Sequence, residues 1–233
     1  MLELFPQGFE ELDGDGGVEL VAYTDAGGEE RLWKVFGGAR GTDVEDGWEE
    51  RWRSFHRPVR VGQLWIGPPW EEPDADAITV VIDPGRAFGT GSHPTTRLCL
   101  EHLAELPRGS VLDVGCGSGV LSIAAAKLGH GPVLGLDVEA AAIEATRENA
   151  KANGVEVEVE ARLADGRTGR LPAADVTLAN ISLADVEQLE PDSEQVVTSG
   201  YLASERVRLP GYTHVARREA DGWAADLHER EKV

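Results

Sequence analysis

The sequence predicts an α/β protein whose main sheet is mostly parallel, and three observations support this. From about residue 76 onward, short apolar runs alternate with helical stretches. A glycine-rich turn joins one strong apolar strand to the helix after it. Residues 212–230 have the pattern of an antiparallel hairpin with its turn at Asp221-Gly222. Strands that alternate with helices need crossover connections, which make neighbouring strands parallel and cover both faces of the sheet.

The elements after residue 76 can be assigned in order. Residues 78–83 are predicted as a strand, followed by a loop and a helix with Leu98, Leu103 and Leu106 as its apolar positions. Further strands are predicted over residues 110–115, 132–138, 155–165, 174–181 and 195–202. Helices are predicted over 119–129 and 140–154, because Gly129 and Gly154 are typical of the residue that ends a helix.

Composition divides the 233 residues into three parts. Residues 1–46 mix apolar runs such as VELVAYT and RLWKVFG with Gly- and Asp-rich breaks, which predicts a small N-terminal region of strands and turns. Residues 47–75 contain four of the six tryptophans and the pair Pro68-Pro69. We interpret them as a linker with a short amphipathic helix and a strand. Residues 76–233 form the predicted α/β domain.

The net charge of −20 is the strongest signal in the composition. Residues 1–50 contain 14 acidic and three basic residues, which accounts for −11 of this total. Such a field disfavours nucleic acid and anionic membranes and favours a basic partner, although acidity can also serve solubility alone. No apolar run approaches the length of a membrane span, and the acidic N-terminus does not resemble a signal peptide. With only Cys99 and Cys116 available, a disulfide framework is not expected, and we predict a cytoplasmic protein.

The segment VLDVGCGSGVLSIAAA (111–126) is a strand, a glycine turn and the start of a helix. Gly115, Gly117 and Gly119 alternate in it, as expected where a chain turns tightly or where a ligand touches the backbone. In open parallel sheets, ligands bind beyond the carboxyl ends of the strands. The third glycine comes one residue too early for a dinucleotide motif, and no Gly-Lys-Ser/Thr is present for a phosphate-binding loop.

Two polar residues follow later strands at the same edge. Asp137 ends the next strand, 22 residues after Gly115, where a carboxylate can accept both hydroxyls of a ribose. Asn180 ends the fourth strand, over the same crevice. As an alternative, Asn180 caps the helix predicted in LADVEQL.

The stretch AFGTGSHPTT (87–96) has no carboxylate, lysine, arginine or cysteine. It offers backbone and hydroxyl groups for binding, which suits a ligand that carries its own charges. His93 is the one titratable group in it, and a histidine before Pro94 indicates a turn more often than a catalytic role. The histidines and cysteines of the chain show no metal-ligand spacing, so we predict no metal.

Together these segments resemble the S-adenosylmethionine-dependent methyltransferases of ribosomal protein L11, the PrmA family. The matching residues are VIDPGRAFGTGSHPTTRLCL, VLDVGCGSGVLSIAAAKLG, GLDVEAAAIEATRENAKANGV and ADVTLANI, with the tryptophan-rich WEERWRSFHRPVRVGQLWIGPPW and the later SGYL also similar. The resemblance implies a Rossmann-like class I methyltransferase sheet with a short N-terminal appendage. It implies cofactor contacts from these residues: Phe88, Gly89, Thr90, Thr96, Gly115, Gly117, Asp137 and Asn180.

The resemblance also implies a reaction, methylation of lysine side chains or an N-terminal amine of a basic ribosomal protein. We also expect a monomer. We expect no dedicated general base, and we expect Asn180 to orient the incoming amine. The chain departs from the family pattern in its shorter N-terminal region, in a shorter segment after Asn180, and in ASERVRLPG (203–211), where Pro210 limits a helix. Two alternatives therefore stay open: another basic protein or a small amine as substrate, or a catalytically weak cofactor-binding protein.

Overall fold

The computed structural model of the chain describes residues 10–14, 17–21, 32–36, 56–84, 89 and 91–232. It divides the chain into two compact units, residues 1–52 and 53–233. The division into parts 1–46, 47–75 and 76–233 stays a prediction.

In the first unit, strands β1 (Glu10–Gly14) and β2 (Gly17–Val21) pair as an antiparallel hairpin. Residues 32–36 are helical. The strand expected in RLWKVFG is therefore wrong, because periodicity cannot distinguish helix from strand in so short an apolar run. The amphipathic helix predicted before Pro58 lies outside the described residues.

The second unit begins with a small sheet of strands β3 (Val59–Val61), β4 (Leu64–Gly67) and β5 (Ile78–Val81). β4 pairs antiparallel with β3 and parallel with β5. The strand predicted at 78–83 is thus real but ends at Val81 and belongs to this separate sheet.

Among the described residues, the main sheet has seven strands in the order β11-β12-β10-β9-β6-β7-β8. Their bounds are β6 Val111–Val114, β7 Val133–Asp137, β8 Val159–Leu163, β9 Ala174–Asn180, β10 Ser193–Leu202, β11 Tyr212–Ala220 and β12 Trp223–Arg230. Strands β6 to β10 pair in parallel, and β12 pairs antiparallel with both β10 and β11. The predicted fold class is confirmed, including the C-terminal hairpin, whose turn places Asp221 and Gly222 at φ 51° and 80°.

Helices cover both faces of this sheet. Helices α1 (Pro94–Leu103), α2 (Val120–Lys127) and α3 (Ala140–Ala152) pack on one face, in a core that includes Leu98, Ile123 and Ala150. The short helix α4 (Leu183–Val186) packs on the other face through Val186. It is shorter than the predicted LADVEQL helix, and residues 203–211 form no helix in the structure.

Candidate functional site

A crevice opens at the carboxyl ends of the central strands. The chain leaves β6 toward β7 on one side, while β9 lies on its other side, so the order of strands reverses between β6 and β9. Ligands of open α/β sheets bind at such a reversal. The cavity there measures about 280 Å³ and is lined by residues that follow β6, β7, β8 and β9, including Gly115, Gly117, Asp137 and Asn180.

The glycine turn, residues 115–119, forms one wall of the crevice. Gly115, Gly117 and Gly119 have φ angles of +77°, +55° and +82°, which side chains other than hydrogen rarely allow. The amide of Gly115 donates to the carbonyl of Leu136 at 2.8 Å, which fixes the turn against β7. A Cβ at Gly115 would also collide with the side chain of Ile181. The turn therefore needs glycine both for its backbone conformation and for close approach to β9.

Asp137 is held at the end of β7 by two backbone amides. Its Oδ2 accepts from Gly117 N at 3.0 Å, and its Oδ1 accepts from Glu139 N at 3.0 Å. Each carboxylate oxygen has a second lone pair, and the side chain lines the crevice. Asp137 can therefore accept two hydroxyl groups of a ligand without moving.

Asn180 lies at the crevice where β9 ends. Its Nδ2 donates to Thr96 Oγ1 at 3.3 Å, which leaves the amide oxygen as the acceptor available to a ligand. Thr96 is buried on α1, so its position next to Asn180 is set by core packing. The helix after β9 is capped by Ser182, whose Oγ accepts from Asp185 N at 3.2 Å. Asn180 is therefore not the cap of that helix.

Gly200 supports the turn that follows Asn180, and sequence reasoning gave it no role. It lies at a bulge of β10 with φ +102°, and a Cβ there would collide with the carbonyl of Ile181. No larger residue allows β10 to approach the backbone next to Asn180 in this way. The signal available in the sequence was the glycine within the β-branched run VVTSGYL, since glycine inside a strand often marks a bulge.

The AFGTGSHPTT stretch is described in part. Phe88 and Thr90, both predicted to contact the cofactor, lie outside the described residues. Gly89 has φ +105°, and its carbonyl accepts a hydrogen bond from Ser118 Oγ of the glycine turn. The stretch is thus connected directly to the wall of the crevice.

His93 has a structural position at the start of α1. Its Nδ1 accepts from Thr95 N at 3.3 Å and lies 2.7 Å from Thr95 Oγ1, so it is the N-cap of the helix, with Pro94 at the next position. The ring packs edge-on against Trp223 at 4.8 Å between centroids. Burial lowers the pKa of His93. These contacts agree with the interpretation of His93 as a turn residue.

The mouth of the crevice carries a cluster of charges. Arg167 binds both carboxylate oxygens of Asp165, at 2.8 and 2.9 Å, and reaches Asp185 Oδ1 at 2.9 Å. The bonds from Arg167 lower the pKa of Asp165 to about 2. Bonds from Ser182 and then Arg167 lower the pKa of Asp185. Both carboxylates are therefore weak bases.

Sequence reasoning also missed polar residues on the buried side of α3. Thr146 and Asn149 donate hydrogen bonds to the carbonyls of Gly117 and Ser118, at 3.0 and 2.9 Å. Their spacing of three residues, and the presence of a further asparagine at 153, puts them on one helix face. That polar spacing between buried alanines was the signal that could have identified them.

Within the described part of the chain, no group of three His, Cys, Asp or Glu side chains is placed to hold a metal ion. In that same part, the helices are too short or too polar to cross a membrane.

The strand order and the crevice at its reversal define the class of protein, a Rossmann-like fold of the methyltransferase type. The structure resembles the crystal structure of ribosomal protein L11 methylase from Lactobacillus delbrueckii subsp. bulgaricus, with a TM-score of 0.64 and 27% identity over 76% of this chain and 100% of that one. The putative methyltransferase yhhF from Escherichia coli shares the fold, at a TM-score of 0.52 and 14% identity over 75% of this chain and 99% of that one.

The chain belongs to the ribosomal protein L11 methyltransferase (PrmA) family, whose model matches residues 29–226. The chain is 46% identical over 166 residues to the ribosomal protein L11 methyltransferase of Shewanella sediminis. These residues cover 69% of this chain and 56% of that protein. The corresponding protein of Serratia proteamaculans is 47% identical over 191 residues, 79% of this chain and 65% of its own length. The chain thus matches less than two thirds of the length of these relatives.

Proposed function

We propose that the chain is an S-adenosylmethionine-dependent methyltransferase that methylates amines of ribosomal protein L11. One observation carries this proposal: the glycine turn, the Asp137 carboxylate and the Asn180 amide meet in a single crevice. The family membership of the chain supplies the reaction and the substrate class. Because the chain matches only part of the length of its relatives, the activity needs its own test.

The residues of the crevice fit this cofactor. Asp137 offers two oriented oxygens to the hydroxyls of a ribose, and Gly115 and Gly117 present backbone without side chains. The lining also includes apolar side chains that offer surface for a purine ring, among them Leu136, Val138, Ala142 and Leu189. We propose that Phe88, Gly89, Thr90 and Thr96 complete the cofactor site.

When bound, S-adenosylmethionine would supply a methyl group on a sulfonium. The leaving group is then a neutral thioether, which leaves readily. The demand on the protein therefore lies with the amine, which must be neutral to attack. For a lysine with a pKa near 10.4, neutralisation at pH 7 costs roughly 4 to 5 kcal/mol. Removal of the amine from water reduces this cost, and correct alignment contributes up to roughly 7 to 11 kcal/mol.

The charges around the crevice support a reaction without a dedicated general base. Asp165 and Asp185 are paired with Arg167, and their lowered pKa values make them poor proton acceptors. His93 uses its Nδ1 to cap α1. The proton of the incoming ammonium is then released to water before methyl transfer.

In this proposal, Asn180 orients the amine. Its Nδ2 is occupied by Thr96, so its Oδ1 accepts a hydrogen bond from the amine and aims the nitrogen lone pair along the crevice. Asn180→Ala should lower kcat about 100-fold, because alignment of the amine is lost, and should weaken the binding of S-adenosylhomocysteine by a smaller factor, because Asn180 is also an expected cofactor contact.

The matched control is Gln188→Ala. Gln188 is an exposed amide side chain that donates to Ala184 O in the same region, outside the lining of the crevice. Calorimetric titration and steady-state kinetics of both variants test the role. Equal turnover of Asn180→Ala and the wild type would exclude it.

The acidity of the chain suits a basic substrate. The net charge of −20 attracts a basic protein and repels nucleic acid. We propose that residues 1–46 are a shortened substrate-recognition region, that residues 47–75 are a linker, and that residues 76–233 form the catalytic domain. We also propose a cytoplasmic monomer.

Incubation of the protein with methyl-labelled S-adenosylmethionine and purified ribosomal proteins tests the function. Label on ribosomal protein L11 alone is the expected result. Label on a different basic protein or on a small amine would overturn the substrate assignment. This outcome matters because the chain matches only part of the length of its relatives. Tight cofactor binding with no labelled acceptor would overturn the catalytic assignment.

A further inference from the structure

The buried face of α3 carries a row of three polar side chains, Thr146, Asn149 and Asn153. Thr146 and Asn149 occupy positions i and i+3 of the helix, and Asn153, at i+7, is its C-cap directly after Ala152; the three residues are 0%, 4% and 8% exposed. Buried polar groups destabilise a fold unless they are hydrogen-bonded, so the contacts of this α3 polar row show what it does. Its members bond to backbone groups of two segments outside the helix.

The first segment is the glycine turn. Thr146 Oγ1 donates to Gly117 O at 3.0 Å, and Asn149 Nδ2 donates to Ser118 O at 2.9 Å. A Cβ at Gly119 would meet Thr146 within 3.1 Å, so the turn lies directly on the helix. The α3 polar row therefore holds the turn that forms one wall of the crevice.

The second segment is the end of β5 and the residues after it, which lead to Gly89. Asn153 pairs with Val81 through both of its amide atoms, with Val81 N to Oδ1 at 2.8 Å and Nδ2 to Val81 O at 2.6 Å. Asp83 N donates to Asn149 Oδ1 at 3.1 Å. Residues 81–83, which precede the AFGTGSHPTT segment in the chain, are thus attached to the α3 polar row.

Asn149 is the member of the row that contacts both segments. Its amide donates to the glycine turn and accepts from Asp83, and because the amide is planar and short, it sets the distance between the two. Ser118, whose carbonyl receives this bond, also donates through Oγ to the carbonyl of Gly89. The glycine turn and the segment 81–83 are therefore linked through one side chain of α3.

We propose that Asn149 is a positioning residue for the cofactor site, which sets the glycine turn at a defined distance from residues 81–83, the segment that precedes AFGTGSHPTT in the chain. This inference rests on the proposed function only for the identity of the cofactor. Asn149 lines no part of the crevice itself, and it acts through the backbone of Ser118 and Asp83.

The test compares Asn149→Ala with Asn153→Ala. Both residues are buried, Asn149 on α3 and Asn153 as its C-cap, and both pair with backbone at or just after the end of β5, but Asn153 has no bond to the glycine turn. Both variants should lose thermal stability to a similar extent. Titration calorimetry with S-adenosylhomocysteine should give a dissociation constant raised about tenfold in Asn149→Ala and less than threefold in Asn153→Ala. Equal affinity losses in the two variants would overturn the proposal.

A second measurement needs no cofactor. In Asn149→Ala, amide hydrogen exchange should accelerate in the peptides that contain Asp83 and Ser118, relative to Asn153→Ala at the same global stability. If the wild type fails to bind S-adenosylhomocysteine while this difference in exchange appears, the proposed function fails and the positioning role stands. Unchanged exchange at Asp83 and Ser118 would overturn the positioning role itself.

A double-mutant cycle separates positioning from general destabilisation. Ser118→Ala removes the bond to Gly89, so its affinity loss and that of Asn149→Ala should be strongly non-additive if both act on one path. Additive losses would contradict the proposal. Should Asn149→Ala not fold, Asn149→Asp replaces it, since a carboxylate retains the acceptor for Asp83 N and loses the donor to Ser118 O. Wild-type affinity in Asn149→Asp would then overturn the proposal.

Discussion

Two buried aspartates in the two halves of the main sheet have opposite surroundings. Asp113 lies on β6, in the parallel half beside the glycine turn, and Asp226 lies on β12, in the C-terminal hairpin. Each is 1% exposed. Burial alone disfavours the ionised form of both carboxyls, so any difference between them comes from their partners.

Asp226 has charged and polar partners on every side. Arg217 binds both of its oxygens at 2.8 Å, Tyr201 donates at 2.8 Å, and His214 Nε2 lies 2.8 Å away. Burial opposes ionisation of Asp226, but the bonds from Arg217, Tyr201 and His214 outweigh it and lower the pKa to about 2.

Asp113 has partners on one oxygen. Its Oδ2 accepts from Ser122 N at 3.1 Å and from Ser122 Oγ at 2.6 Å, and among the described residues no group bonds to its Oδ1. Burial raises its pKa to about 6, although the bonds from Ser122 act in the other direction. The hairpin thus uses a buried charge as a compensated structural element, whereas the half that forms the crevice retains a carboxyl that destabilises the fold when ionised.

The largest expected effect comes from removing Asp226, the aspartate whose charge is compensated. Asp226→Ala removes the buried carboxylate from the Arg217 guanidinium, which is 11% exposed and, among the described residues, keeps only the half-exposed Glu219 at 3.5 Å as a charged partner, and should lower the free energy of unfolding by about 3 to 5 kcal/mol. Urea unfolding measures this loss. Adding Arg217→Met should recover part of it, because the buried charge that has lost its main partner is then removed. A loss below about 1 kcal/mol would show that the network does not stabilise the hairpin.

The second effect is a pH dependence that tests the uncompensated side. The pKa of Asp113 is raised in the folded state, so its stabilising contribution is present below about pH 4 and is lost as the pH rises through about 6. The loss should reach about 3 kcal/mol by pH 7. In Asp113→Asn this term is absent, so the stability of the variant relative to the wild type should rise between pH 4 and 7.

Unfolding by urea at several pH values measures the change for Asp113→Asn. Asp226 should behave in the opposite way, since its pKa is lowered and its contribution is lost as the pH falls from about 4 toward 2. Parallel pH profiles for the wild type and Asp113→Asn would contradict the assignment.

The smallest expected effect comes from an ion pair of the same kind that is not buried. Asp185 pairs with Arg167 at 2.9 Å, as Asp226 does with Arg217, but its side chain is 34% exposed. Exposed pairs contribute little because water screens them. Asp185→Asn should therefore lower the melting temperature by less than about 3 °C, as measured by calorimetry. A loss as large as that of Asp226→Ala would show that pairing, and not burial, decides the cost.

Local sequence patterns were sufficient to predict much of the fold and the site. The glycine turn, Asp137 and Asn180 each follow a strand, and strand ends share one edge in a parallel sheet, so their meeting in one crevice could be predicted. The hairpin turn at Asp221-Gly222 was equally local, because few residue pairs adopt positive φ twice in succession.

Other features depended on contacts between distant segments. The RLWKVFG run is too short for its periodicity to identify a helix, and Ile78–Val81 gave no sign that it pairs with β4 and not with the main sheet. Asn149 was missed because its hydrogen bonds reach residues 31 and 66 positions away in the chain. Gly200 was missed because its role is a close approach to the backbone of Ile181, which follows another strand of the sheet.

The sequence by itself determined the order of strands and helices, the glycine turn and the polar residues at the strand ends, because these follow from backbone conformation and periodicity within short windows. The tertiary structure decided which buried polar groups are compensated: Asp226 by several surrounding donors, Asp113 by Ser122 alone among the described residues, and Asn149 by two backbone segments. Compensation is a property of distance in space, and the spacing of residues along the chain does not determine it.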